Sequence, residues 1–251
     1  MPNSPRTSHP SSSQPSALSA SIPVLKSRAR KLRRAEQIPL HQALDRVAAA
    51  EGYSSWSLLA AKTAARESDL FDQLEPGELV LIAARPGQGK TLCAVELLIA
   101  SLRHRQQGWF FALQNDAPPI DAYFEALGEQ RSTFEAFEFE HSDAIDAAYI
   151  AQKVGAAVTE KAVVVIDHLQ LLDQRRRSPP LHQQMAELRD LARRTRSVIV
   201  AISQIRSAFD AEAARFPSVA DVRLLDELDL GLFDRMVFMH EGKHRSQRSA
   251  G

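Results

Sequence analysis

Residues 79–100 read LVLIAARPGQGKTLCAVELLIA, and the rest of the chain is best understood outward from them. The first six are apolar and suit a short strand buried on both faces; residues 85–89 hold a proline and two glycines; from Lys90 onward Leu92, Val95, Ile99 and Leu102 recur at helical spacing. Strand, glycine turn and helix in that order make an anion cradle. Main-chain N–H groups of the turn converge on one point, and the helix N-terminus adds partial positive charge. Gly87 and Gly89 allow the backbone to approach phosphate oxygens, while Pro86 withholds one donor. Lys90 is placed for the β and γ oxygens of a triphosphate, and the Thr91 hydroxyl for Mg²⁺. The expected phosphate-binding segment is therefore Ala84, Arg85, Pro86, Gly87, Gln88, Gly89, Lys90 and Thr91. The strict pattern G-x-x-x-x-G-K-S/T asks for glycine where Ala84 stands, a departure that forbids only the glycine-specific backbone angles.

Downstream, short apolar runs alternate with amphipathic stretches. Strands are expected at 78–84, 109–114, 136–140, 162–167, 197–203 and 235–240, with helices at 90–105 and 181–194 among those between them. Strands buried on both faces and joined by helices predict an α/β fold with a mostly parallel central sheet. Upstream, Leu40, Ala43, Leu44, Val47 and Ala48 predict a helix that Pro39 starts and Gly52 stops. A second helix capped by Ser54 or Ser55 would show Trp56, Leu59, Ala60 and Thr63 on one side, completing a small helical hairpin. The expected division is a Ser/Pro-rich tail at 1–21, a basic segment with the hairpin at 22–68, the α/β domain at 69–246 and a tail at 247–251. In the first tail, eight serines and four prolines leave too little apolar surface to offset chain entropy.

Composition narrows the function classes. The chain has 251 residues and 44% apolar content, enough for a substantial core, and 31 basic against 31 acidic residues, so any basic surface must be local. KSRARKLRR at 26–34, with six cations and no acid, is one such patch, fit for nucleic acid or an acidic partner. The single cysteine, Cys93, reads as a small core residue, and no C-x-x-C pair suggests zinc, which points to a reducing cytoplasm. The longest apolar runs fall well short of the roughly 20 residues that span a bilayer, so a soluble protein without membrane contact is expected. The histidines, His240 and His244 among them, flank predicted strand and turn rather than forming a metal site, and the phenylalanines at 134–139 read as strand and core.

Opposite the loop, AVVVIDHLQLL places Asp167 at the carboxyl end of an apolar strand, where it can orient Mg²⁺; as a residue on its own it also fits an ordinary strand-ending turn. Four ordered motifs resemble the RecA-like motor domain of DnaB-type hexameric replicative helicases. ARPGQGKT is similar to the phosphate loop of that family, VVVIDHLQLL to its Walker B strand, AISQIR to its polar sensor strand with Gln204 in the sensor position, and PSVADVRL through LFDRMVFMHEGKHR to its closing segment. The resemblance covers about residues 74–245 and implies a RecA-like P-loop core, ATP and Mg²⁺ as ligands, a homo-oligomeric ring, single-stranded DNA and a replication partner protein. It implies that Lys243 and Arg245 reach the γ-phosphate held by a neighbouring subunit; taken alone, GKHRSQR is a basic tail.

Two departures bear on activity. The family carries a glutamate at the end of its second core strand, where this chain has Gln114. Glutamine cannot accept a proton but can orient water, and Asp116 nearby reads either as a substitute or as part of a plain turn. The chain also stops soon after its K-x-R pair, where the family continues into further strand, and it shows no version of the family's larger helical collar. Arg175, Arg176 and Arg177 fall in a loop that the resemblance places in the central channel, where they would meet DNA phosphates; a solvated charge run is the competing reading. The functional alternatives are a DNA-coupled ATPase, a nucleotide-binding regulator or helicase partner with little hydrolysis, and a P-loop kinase, for which neither lid nor acceptor pocket is evident in the sequence.

Overall fold

The computed structural model describes residues 18–20, 22–57, 59, 70–113, 118–155, 160–169, 172, 179–206, 209, 216–223, 228–240 and 243–249. At its centre is a seven-stranded sheet made of β1 (Leu79–Ala84), β2 (Gly108–Ala112), β3 (Phe137–His141), β4 (Val163–Asp167), β5 (Val198–Gln204), β6 (Arg235–His240) and β7 (Lys243–Arg248). The spatial order is β3-β2-β4-β5-β1-β6-β7. The first six strands are parallel and β7 is antiparallel to β6.

Alternation along the strands sends side chains into two cores. On one face Val80, Ile82, Val165, Val200, Ile202 and Val237 pack with α3 (Lys90–Arg103) and α4 (Ile120–Ala126). On the other, Leu81, Val164, Ile166, Ala201 and Phe238 pack with α5 (Ala147–Val154) and α6 (Leu181–Thr195). Neighbouring Phe110 and Phe111 enter opposite cores and are fully buried, each stabilising the sheet by about 1.5–3 kcal/mol. The helices of both faces run out at cation-bearing last turns: Arg103 ends α3, and Arg193 and Arg194 lie in the final turn of α6.

The N-terminal part is a helix pair, α1 (Ile22–Glu36) and α2 (Leu40–Ala50), with its own small core of Leu25, Ala48, Tyr53 and Leu59. α2 begins after Pro39 and is followed by Gly52 at φ +83°, as the sequence predicts. The second hairpin helix expected after Ser55 falls largely outside the described residues. The observed partner of α2 is α1, a helix the sequence reading treated only as a basic segment. Lys26 Nζ of α1 donates to the Ala126 carbonyl at the end of α4 at 2.8 Å, tying the pair to the α/β core. Among the described residues, no helix is long and apolar enough to cross a membrane.

At the C-terminus residues 243–248 form the edge strand β7, and the K-x-R pair lies on that strand. The strand has no apolar residue; the backbone ladder with β6 and a charge cluster at its end hold it. Arg235 at the start of β6 donates through Nε and Nη2 to the Glu78 carboxylate at 3.0 and 3.1 Å, and Arg248 Nη2 donates to the same carboxylate at 3.0 Å.

Candidate nucleotide-binding site

The site assembles at the carboxyl end of the parallel strands, where α/β sheets hold ligands. β1 is flanked by β5 and β6, and its last residue, Ala84, pairs with Gln204 on one side and Met239 on the other. Ala84 is fully buried and is not among the residues with positive φ; its carbonyl accepts from Ile205 N at 3.1 Å. It is thus an ordinary strand residue, which explains why alanine serves where the strict motif has glycine. The two glycines that follow are required by conformation. Gly87 has φ +78° and Gly89, the N-cap of α3, has φ +85°. A Cβ at Gly89 would find only Met239 Cε, at 3.9 Å, so backbone geometry rather than space sets the requirement. The first helical bond is Cys93 N to Gly89 O at 2.9 Å, so the amides of Lys90, Thr91 and Leu92 have no acceptor inside α3.

Three side chains converge there. Thr91 Oγ1 donates to Asp167 Oδ2 at 2.9 Å, bridging the first turn of α3 and the end of β4. Burial pushes the Lys90 ammonium below the usual lysine range, and the nearby Asp167 carboxylate partly opposes that shift. Tyr123, on α4, joins them: burial pushes its hydroxyl up, the charge of Asp167 adds to the rise, and a hydrogen bond with Thr91 acts against it. Sequence spacing holds no sign of Tyr123, which arrives only because α4 packs beside α3. A hydroxyl and a carboxylate 2.9 Å apart are hard oxygen donors, the set that Mg²⁺ prefers. The side chain of Asp167 is 12% exposed, its peptide bond to His168 is cis, and His168 Nδ1 lies 3.9 Å from its Oδ1.

The remaining predicted residues divide. Gln204 ends β5 beside Ala84, half-buried, and alternation with Val200 and Ile202 turns its side chain toward the α3 face, the face of Lys90 and Asp167. Its carbonyl accepts from Arg223 N at 2.8 Å. Lys243 and Arg245 pair with His240 and Phe238 across the β6–β7 ladder, and Phe238 belongs to the opposite core. Directly paired antiparallel residues share a face, so both cations project from the side of the sheet away from the phosphate loop. There the Arg245 guanidinium lies 5.0 Å over the Phe216 ring, and Phe216 meets His240 edge-on at 6.0 Å. Gln114 and Arg175, Arg176 and Arg177 lie outside the described residues.

A sequence-family model described as "DnaB-like helicase C terminal domain" matches residues 125–247. Those residues, just under half of the chain, are similar to the DnaB-like helicase C-terminal family. The match takes in Asp167, Gln204, Lys243 and Arg245 and starts beyond the phosphate loop. Among solved structures, the chain is similar to one described as an ATPase domain, with TM-score 0.50 and 20% identity over 66% of this chain and 70% of that one. It is also similar to a DnaB-like replicative helicase described with its interactions with primase, with TM-score 0.52 and 15% identity over 88% of this chain and 71% of that one. No curated protein matches the sequence. At these identities the structural likeness speaks for the fold, an α/β core with an N-terminal helix pair.

Proposed function

We propose that this chain is a DnaB-like P-loop ATPase that binds ATP with Mg²⁺ and couples nucleotide state to binding or translocation of single-stranded DNA. The observation that carries the reading is the 2.9 Å contact between Thr91 and Asp167 at the head of α3, with Lys90 beside it. In this reading the turn amides and Lys90 hold the phosphates. The Thr91 hydroxyl and the Asp167 carboxylate would hold the metal, which when bound shields phosphate charge and polarises the γ-phosphoryl group. Gln204, on the same sheet face, contacts the γ-phosphate or its water.

Lys243 and Arg245 face away from the chain's own loop, which suits service to a neighbouring subunit in a homo-oligomeric ring. A cation supplied in trans is worth about 10³–10⁵ in rate, so hydrolysis in this scheme depends on assembly. Arg175, Arg176 and Arg177 supply DNA phosphate contacts, a replication protein is the expected partner, and the cytoplasm is the expected location.

A second reading, a regulator or helicase partner that binds ATP with little hydrolysis, is favoured by Gln114. Without a proton acceptor there, turnover loses up to the roughly 10²–10⁴ that general-base catalysis contributes. ATPase rates with and without single-stranded DNA test the first reading, which fails if turnover is independent of both DNA and Lys90. Gln114→Glu separates the two: a large gain in turnover fits the regulator, and a loss shows that glutamine belongs to a working site.

A further inference from the structure

We propose that the outward face of α1 binds the sugar–phosphate backbone of single-stranded nucleic acid through Arg30, Lys31, Arg33 and Arg34. The chain as a whole balances 31 cations with 31 acids, yet α1 carries a dense block of cations and one acid, Glu36. Leu25 is fully buried in the core of the helix pair and Ala29 is fully buried as well, which turns the cations outward. Two of them are occupied. Lys26 donates to the Ala126 carbonyl, and Arg28 Nη1 donates to Ser19 Oγ at 3.0 Å and lies 3.9 Å from Glu51. Glu36 is taken by Arg46. Arg30, Lys31, Arg33 and Arg34 are exposed and make no ion pair among the described residues.

Arg33 and Arg34 complement the negative end of the helix dipole, but Arg30 and Lys31 stand before the last turn. Arg30 faces Arg34 one turn on and Arg33 three residues on, like-charge pairs that each cost about 0.2–0.5 kcal/mol. A polyanion relieves that repulsion. The patch favours a phosphodiester over other anions. Three of its four cations are arginine, whose fork meets phosphate oxygens two at a time. It has no aromatic anchor of the kind that protein interfaces use. The apolar side of α1 is committed to the helix pair, and among its described residues Val24 is the one exposed large apolar side chain, too little for insertion into lipid. This inference is independent of the nucleotide reading.

The test is fluorescence anisotropy of labelled oligothymidylate with the full chain, across salt. Four contacts contribute about 2.8 to the salt slope, so between about 50 and 200 mM they account for a roughly 50-fold fall in affinity. Arg30→Gln/Lys31→Gln/Arg33→Gln/Arg34→Gln is expected to lose that share. The single changes Arg30→Gln and Lys31→Gln each lower the slope by about 0.7, which keeps the test intact if the quadruple variant fails to fold. As a charge-matched control, Arg103→Gln/Arg131→Gln/Lys153→Gln/Arg196→Gln should leave the slope unchanged. The proposal is overturned if the patch variants keep the wild-type slope or if the control loses as much. It is also overturned if the same substitutions abolish binding to phosphatidylserine vesicles or polyglutamate while DNA binding persists.

Discussion

Glu78→Ala will unfold this protein more readily than any surface change, for a reason visible in the edge of the sheet. The Glu78 carboxylate is 5% exposed and accepts two bonds from Arg235, itself 6% exposed. Removing the acid leaves the Arg235 guanidinium buried, with Nε and one Nη2 bond unmade, although it keeps Gln73 O at 2.7 Å and Ser246 Oγ at 3.1 Å. Breaking one side of a buried pair costs about 3–5 kcal/mol. At about 2–4 °C per kcal/mol for a chain of this size, the melting temperature should fall by about 6–20 °C. Arg248→Ala, which withdraws an exposed arm from the same carboxylate, should shift it far less. Replacing both buried partners, as Glu78→Met/Arg235→Met, should recover most of the loss. The pair sits at the amino end of β1, about 17 Å of strand from the phosphate loop, so nucleotide affinity of the folded fraction should not change. Urea unfolding monitored by circular dichroism measures the three variants. A loss under about 1 kcal/mol for Glu78→Ala, below the range for a broken buried pair, would refute the reasoning.

Three further outcomes follow from the site. Gly89→Ala places a side chain at φ +85° with room around it, so the cost should be the left-handed penalty of about 1–2 kcal/mol, read by urea midpoint, with weaker nucleotide binding beside it. Lys90 is held below the ordinary lysine range by burial, and a bound phosphate favours its charged form. Nucleotide affinity should therefore be level at lower pH and decline as pH rises through the lowered value, with proton uptake on binding in calorimetry; Lys90→Gln should show no such decline. Tyr123→Phe removes a hydroxyl beside Thr91 and Asp167, and should alter the magnesium dependence of binding while leaving the melting temperature within a few degrees.

The centre of the fold was open to reading because its strands are buried on both faces: runs such as Leu79–Ala84 and Val163–Asp167 have little choice but to lie in the middle of a sheet. The phosphate loop and Asp167 follow from the same logic, since they stand at the carboxyl ends of such strands, whereas Gln204 was legible only through the resemblance of AISQIR to a sensor strand. β7 was hidden because an edge strand exposed on both sides needs no apolar residue, so KHRSQR carries no strand signal. α1 was hidden because its apolar repeat, Leu25, Ala29 and Leu32, is set among six cations. Tyr123 and the orientation of Lys243 and Arg245 depend on how elements pack across the sheet, which spacing along one chain does not carry.

The most direct test of the nucleotide site is calorimetric titration of ATP, with and without Mg²⁺, into the wild-type chain, Lys90→Ala and Asp167→Asn. Magnesium-dependent binding is expected of the wild type. Lys90→Ala should weaken it by roughly 10-fold or more, as losing a hydrogen bond to a charged group implies, and Asp167→Asn should bind with most of the magnesium dependence gone. Absence of binding by the folded wild-type chain, or equal binding by all three, would contradict the assignment.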